Sequence, residues 1–180
     1  WYYPILGRNG KPYKIVMLAA DVTYDKVQHA EVQSQVDAID KVQAIIEFSI
    51  DGTVLKANRK FLDCIGYEQN EIVGKKHSLF IDPAEAATPQ YLEHWQKLKR
   101  GEAVTGEFRR IGKNARDVFI SASYNPVLDP KGRVIKVVKF ATDVTPRVLA
   151  VRAVADGLAG LAAGDLTVRV GIAFPKELEA

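Results

Sequence analysis

The sequence predicts an α+β domain in which an antiparallel sheet carries its helices on one side. Three observations predict it. Two short β-rich runs precede, and three follow, a stretch of short helical patterns. The last two runs are joined by strong turn chemistry, and a worn copy of that final hairpin opens the chain. Placing Tyr2–Thr23 over Tyr124–Thr145 needs no gap, and Tyr2, Pro4, Leu6, Gly10, Lys14, Val16, Ala19, Asp21, Val22 and Thr23 recur at a constant offset of 122. A period that long marks a whole domain rather than a solenoid unit.

Taken in order, residues 1–23 are expected to be the C-terminal hairpin of a preceding repeat. Two strands alone do not hold together in water, so this stub must borrow a surface or fray. Tyr24–Ala44 carries Val27, Val32, Val36, Ile39 and Val42 among polar residues, without Gly or Pro, and predicts an amphipathic linker helix over 24–45. That stripe suits packing on its own domain or a coiled coil between the repeats. Strands are expected at Ile46–Ile50 and Val54–Ala57, joined by Asp51-Gly52. Asn58 sits where a helix cap belongs, and Gly66 closes the short helix after it. A further turn starts at Asn70, and a longer helix near Pro89–Arg100 presents Tyr91, Leu92, Trp95 and Leu98. A strand at Val104–Ile111 precedes the hairpin, whose arms meet at Asp129-Pro130-Lys131-Gly132. Both repeats end in Asp-Val-Thr before helix-forming sequence, where the Asp or Thr can cap a helix. After Thr145-Pro146, Val148, Val151, Val154, Leu158 and Leu161 predict a second amphipathic helix within residues 148–180.

Composition narrows the function classes. The chain has 180 residues, 47% of them hydrophobic, and a formal net charge of +3. Lys97-Leu98-Lys99-Arg100 and Arg109-Arg110 read as solvated faces rather than a nucleic-acid stripe. Cys64 is the only cysteine, so no intrachain disulfide or thiolate cluster can form, and its apolar neighbours place it in the core. No run reaches the roughly 18 to 20 apolar residues of a membrane span. A cytoplasmic location without direct membrane contact is the expectation, with Trp1 read as the start of a fragment. No phosphate loop, HExxH or nucleophile motif is present. Glu102 and Glu107 read as surface ion-pair partners rather than a catalytic pair, and the chain is expected not to be an enzyme.

DGTVLKAN, FLDCIGYEQNEIVGK, the Gly101-Glu102 pair before a strand and the terminal DVT together resemble a PAS domain over roughly Lys41 to Arg147. GKKHSLF, the helix with Trp95, LKRGEAVTGEFRR and ASYNPVLD are similar to the PAS domains of bacterial cytoplasmic methyl-accepting chemotaxis receptors with tandem PAS domains, of the Aer-like aerotaxis type. The resemblance implies a complete PAS domain over 46–147, with a five-stranded antiparallel sheet cupping a pocket walled by short helices. It implies a sensor of oxygen, redox state or a small ligand that relays signals through its C-terminal helix. The phrase LAAGDLTVRV resembles the second helix and exit of HAMP-like connectors, which implies a homodimer through the linker helices and a downstream chemoreceptor signalling region. Two other readings stay open. One is a ligand-free PAS dimerisation module; the other is the sensor of a histidine kinase or cyclic-dinucleotide enzyme.

Among the histidines, His29 and His94 are expected at the surface. His77 falls where PAS helices face the sheet across the pocket, so it is the candidate axial ligand for the iron of heme b, with Trp95, Phe119, Ile120 and Val137 as apolar wall. A capping or hydrogen-bonded structural role is the plain alternative for His77. FAD is the alternative cofactor, and an empty domain is equally admissible. The flavin-binding pattern has an Arg-His pair and a Trp where this chain has Ile81-Asp82 and Val104.

Overall fold

The structure, a computed structural model, describes residues 1–164. It divides into two compact units, Trp1–Ile39 and the chain from Asp40 onward. The first unit holds an antiparallel hairpin, β1 (Tyr2–Leu6) and β2 (Pro12–Met17), and most of helix α1 (Thr23–Val42). Its apolar side chains face solvent: Trp1, Tyr2, Tyr13, Ile15 and Met17 on the hairpin are exposed, and α1 buries none of its residues.

The second unit is the expected α+β domain. Strands β3 (Ala44–Phe48) and β4 (Val54–Ala57) lead into helices α2 (Arg59–Ile65) and α3 (Gln69–Ile72). A 3-10 turn over His77–Phe80 follows, then α4 (Pro83–Ala86) and α5 (Pro89–Lys99). Strands β5 (Val104–Ile111), β6 (Asp117–Leu128) and β7 (Val134–Asp143) complete the sheet, and α6 (Thr145–Ala162) leaves it. The five strands lie in the order β4-β3-β7-β6-β5, all antiparallel.

Strand alternation sorts the side chains. Ile46 and Phe48, Val118, Ile120, Ala122 and Tyr124, and Val137 and Ala141 point inward, where Phe61, Leu62, Ile65, Ile72, Phe80 and Leu98 meet them to form the core. The β6–β7 hairpin repeats the register of the first one. Tyr124 pairs with Lys139 where Tyr2 pairs with Met17, and in both copies the Asp of Asp-Val-Thr accepts a 2.8 Å hydrogen bond from the Thr amide two residues on.

The chain enters β3 at Ala44, two residues before the expected Ile46, and Asn58 is the reason. Its Oδ1 accepts from the amides of Ile45 and Phe61, both at 2.9 Å, so it caps α2 and holds the neighbouring strand at once. Its Nδ2 donates to the Gln43 carbonyl at 2.7 Å. Of the HAMP-like phrase LAAGDLTVRV, the part from Asp165 lies outside the described residues. Replacing Asn58 by Ala removes a helix cap and two strand-entry bonds, and is expected to cost about 2 kcal/mol. The fall in the urea midpoint at unchanged m-value checks this; a midpoint within error of the parent would show that backbone geometry alone sets the entry.

Candidate functional site

The inner end of the domain is polar in a way its apolar neighbours do not foretell. His77 is placed by the backbone, because its amide donates to the Gly52 carbonyl at 2.8 Å and residues 74–76 bond along the edge of β4. Gly52 adopts φ +80°, and a Cβ there would meet the Trp95 indole at 3.0 Å, so only glycine lets this turn take its shape beneath the ring. Trp95 in turn stands edge-on to Phe48 at 5.8 Å and to His77 at 5.5 Å.

His77 is 1% exposed, and both ring nitrogens have partners. Nδ1 lies 3.3 Å from the Tyr91 hydroxyl and Nε2 lies 3.0 Å from the Tyr124 hydroxyl. Tyr124 also accepts from Nη2 of Arg110 at 3.2 Å, while Nη1 of Arg110 donates to the carbonyl of Arg109 at 2.7 Å. The Lys139 ammonium sits 4.8 Å from the centre of the Tyr124 ring and 5.6 Å from that of Phe61. His94 closes the cluster edge-on to Tyr124 at 4.6 Å.

The electrostatics follow from this placement. Burial holds His77 well below the ordinary histidine value, and the charges of Lys139 and Arg110 push the same way. Burial also lowers His94, again with Arg110 and Lys139, to about 4. Burial raises the Tyr124 hydroxyl, but the two cations more than reverse this and its net shift is downward. Lys139 is lowered by burial, which Tyr124 only partly offsets. The cluster is a buried, positively charged hydrogen-bond network around one phenol.

Several expectations change here. Ile120 and Val137 line the interior, and Trp95 packs against it. Phe119 does not: one step along β6 from Ile120 it faces the other side of the sheet, under the guanidinium of Arg152 at 4.6 Å. His94 is half-buried with its Nε2 enclosed, not at the surface. Arg109 is exposed and pairs with Asp117, but Arg110 is 3% exposed and belongs to the interior. His29 is exposed, Glu102 and Glu107 pair with Arg100 and Arg147, and Cys64 is half-buried, its thiol pushed up by burial to about 11.

A heme iron needs an imidazole nitrogen facing an open slot. Here Tyr91 and Tyr124 take both nitrogens of His77, and the rings of Phe48, Trp95, Tyr124 and Phe80 surround it at 5.2 to 6.4 Å. The residues as arranged do not fit a heme. They do not fit the flavin pattern either, since Ile81 is buried and Asp82 caps α4. Among the described residues no group of three or more metal-ligating side chains comes together.

The sign of the pH dependence follows from the two depressed histidines. Near pH 6.5 the unfolded chain binds protons that the folded chain refuses, so stability present above that pH is lost as pH falls below it, down to about 4 for His94. Each group contributes a slope of up to about 1.4 kcal/mol per pH unit, less for His94 because solvent screens it. Carboxylates held low by partners, such as Glu47 beside Lys136 and Lys56, add their loss only once the pH falls below the ordinary carboxylate value, outside the interval from pH 7 to pH 5. Urea midpoints are expected to fall between pH 7 and pH 5, and to fall less in His94→Gln. A flat profile across that interval would mean that both histidines charge freely in the fold.

Comparison with known proteins agrees with this geometry. Residues 41–149 match the family model described as PAS fold. The chain is 43% identical over 155 residues to the biofilm dispersion protein BdlA of Pseudomonas aeruginosa, an alignment covering 86% of this chain and 37% of that protein. The chain thus matches little more than a third of its relative's length. Among solved structures, a PAS domain from Colwellia psychrerythraea superposes with TM-score 0.57 at 17% identity, covering 64% of this chain and 98% of that one. An RNA-binding light-oxygen-voltage receptor gives TM-score 0.57 at 20% identity, covering 82% of this chain and 39% of the other. At these identities the structures speak to fold alone, while the family match spans more than half of the sequence: the chain belongs to the PAS-fold family.

Proposed function

We propose that this PAS domain is the sensory module of a cytoplasmic chemotaxis-type receptor, acting by binding and relay rather than catalysis. Its interior responds to a small ligand, and α6 carries the response to a downstream signalling region. The observation that carries this reading is the junction between sheet and helix. Thr145 Oγ1 accepts from the Phe119 amide at 2.9 Å and donates to the Phe119 carbonyl at 3.3 Å, and the Val144 amide donates to the same carbonyl at 2.9 Å. Arg147 pairs with Glu107 of β5, and Arg152 lies over Phe119. The first turns of α6 are therefore strapped to the outer face of β6, one residue from Ile120 on the inner face. A shift of β6 reaches α6 without passing through a loop. Similarity to a biofilm dispersion protein supports an output in the release of cells from biofilms.

In the full-length protein, Thr145→Val is expected to cut the stimulus-dependent change in output at least tenfold while leaving the unfolding free energy from urea titration within about 1 kcal/mol of the parent. An unchanged response would remove the Thr145 strap from the relay. The reading includes a homodimer. Val151, Val154, Leu158 and Leu161 form an exposed apolar stripe on α6, and Val27, Val32, Val36 and Ile39 form one on α1. Sedimentation is expected to show a dimer that Leu158→Glu with Val151→Glu shifts to monomer; a monomeric parent chain at micromolar concentration counts against relay through paired helices.

A further inference from the structure

The interior contains more positive charge than the fold explains. Arg110 and Lys139 are 3% and 1% exposed, and among the described residues no Asp or Glu is buried. The nearest carboxylate to Arg110 is Glu85, whose Oε1 lies 3.6 Å from Nη1 and whose side chain is half exposed. Arg110 therefore has one ion-pair partner, on its Nη1 side and half in solvent, and among the described residues Lys139 has no carboxylate partner; a buried cation so weakly offset is disfavoured. Hydrogen bonds do not make good the deficit. Arg110 Nε and His94 Nε2 are both enclosed and have no partner. Nε and Nη2 form the edge of a guanidinium that takes a carboxylate through two parallel bonds. On Arg110 one donor of that edge is idle and the other meets only the Tyr124 phenol.

Lys139 is not there to make the hairpin. In the first hairpin the same register position, opposite Tyr2 instead of Tyr124, holds Met17. In that hairpin the methionine is exposed, whereas Lys139 is buried, so strand pairing at this rung does not itself require a charge.

We propose that the interior between β5, β6, β7 and α5 is a binding site for a small carboxylate, held by Arg110 and Lys139 with Tyr124 and His94 as neutral partners. The proposal rests on the sensory reading above and names the chemical class of its ligand. The carboxylate takes the Nε–Nη2 edge of Arg110, displacing the Tyr124 hydroxyl, and offsets the charge of Lys139. Aromatic rings surround this point. Phe108 lies 4.7 Å from the Arg110 guanidinium and 5.6 Å from the Tyr124 ring, so the rings pack closely here and the proposed ligand is a small one. Displacing Tyr124 also releases one bond to His77, which ties ligand capture to the turn at Gly52 and to β6.

The test is thermal denaturation and calorimetry of the full chain with acetate, pyruvate and succinate, against chloride and inorganic phosphate at matched ionic strength. The expected result is saturable stabilisation by at least one carboxylate in the millimolar range or tighter, absent with chloride, and weakened at least tenfold in Arg110→Gln. Lys139→Met supplies a second readout that does not depend on Arg110 folding. It is expected to raise the melting temperature in anion-free buffer and to lose most of the carboxylate response. The proposal is overturned if no carboxylate gives a saturable shift, if phosphate or chloride stabilises equally, or if Lys139→Met lowers the melting temperature and keeps the response. A carboxylate that binds but leaves the output of the full-length receptor unchanged would uphold the site and sink the sensory reading. An output that responds to another stimulus while no carboxylate binds would do the reverse.

Discussion

The two-residue period of the β-strand is the constraint on which the rest of this domain depends. Along β6 it sends Val118, Ile120, Ala122 and Tyr124 inward and leaves Phe119 outside with the helix that departs from the sheet. One strand thus has a face in the core and a face held to the departing helix, separated by the thickness of a backbone. Along β5 the period takes Arg110 into the core and leaves Arg109 in water; along β7 it takes Lys139 in between Val137 and Ala141. The charged interior and the helix junction are products of one geometric rule applied to three neighbouring strands.

Much of the fold is legible in the sequence because its boundaries are local chemistry. Asp51-Gly52, Asn58, Gly66, Pro89, Gly101 and the Asp129–Gly132 turn each determine their own conformation, and β4 and β5 begin and end where the pattern places them. The entry to β3 is less legible, because a side chain fourteen residues after Ala44 decides it. His77 is legible as an interior residue but not in its role, which depends on tyrosines 14 and 47 residues away.

The interior cations escape notice for a different reason. Arg109-Arg110 looks like one basic patch only if the residues are read as a pair, and a strand separates neighbours. The run Val134–Phe140 reads as apolar, yet Lys139 shares the parity of Val137 and Ala141. The same parity forbids Phe119 and Ile120 from lining one pocket. His94 carried a helical signal as well: Tyr91, His94, Trp95 and Leu98 fall at i, i+3, i+4 and i+7, the single stripe that α5 turns toward the sheet.

The two hairpins share a register, and at one rung of it they differ by a charge and hardly at all in volume. Duplication followed by exchange of a lysine and a methionine gives one backbone plan two electrostatic characters. The two copies thus differ in the chemistry of one rung while sharing the strand register, the hydrogen bond that closes the turn and the Asp-to-Thr cap that follows.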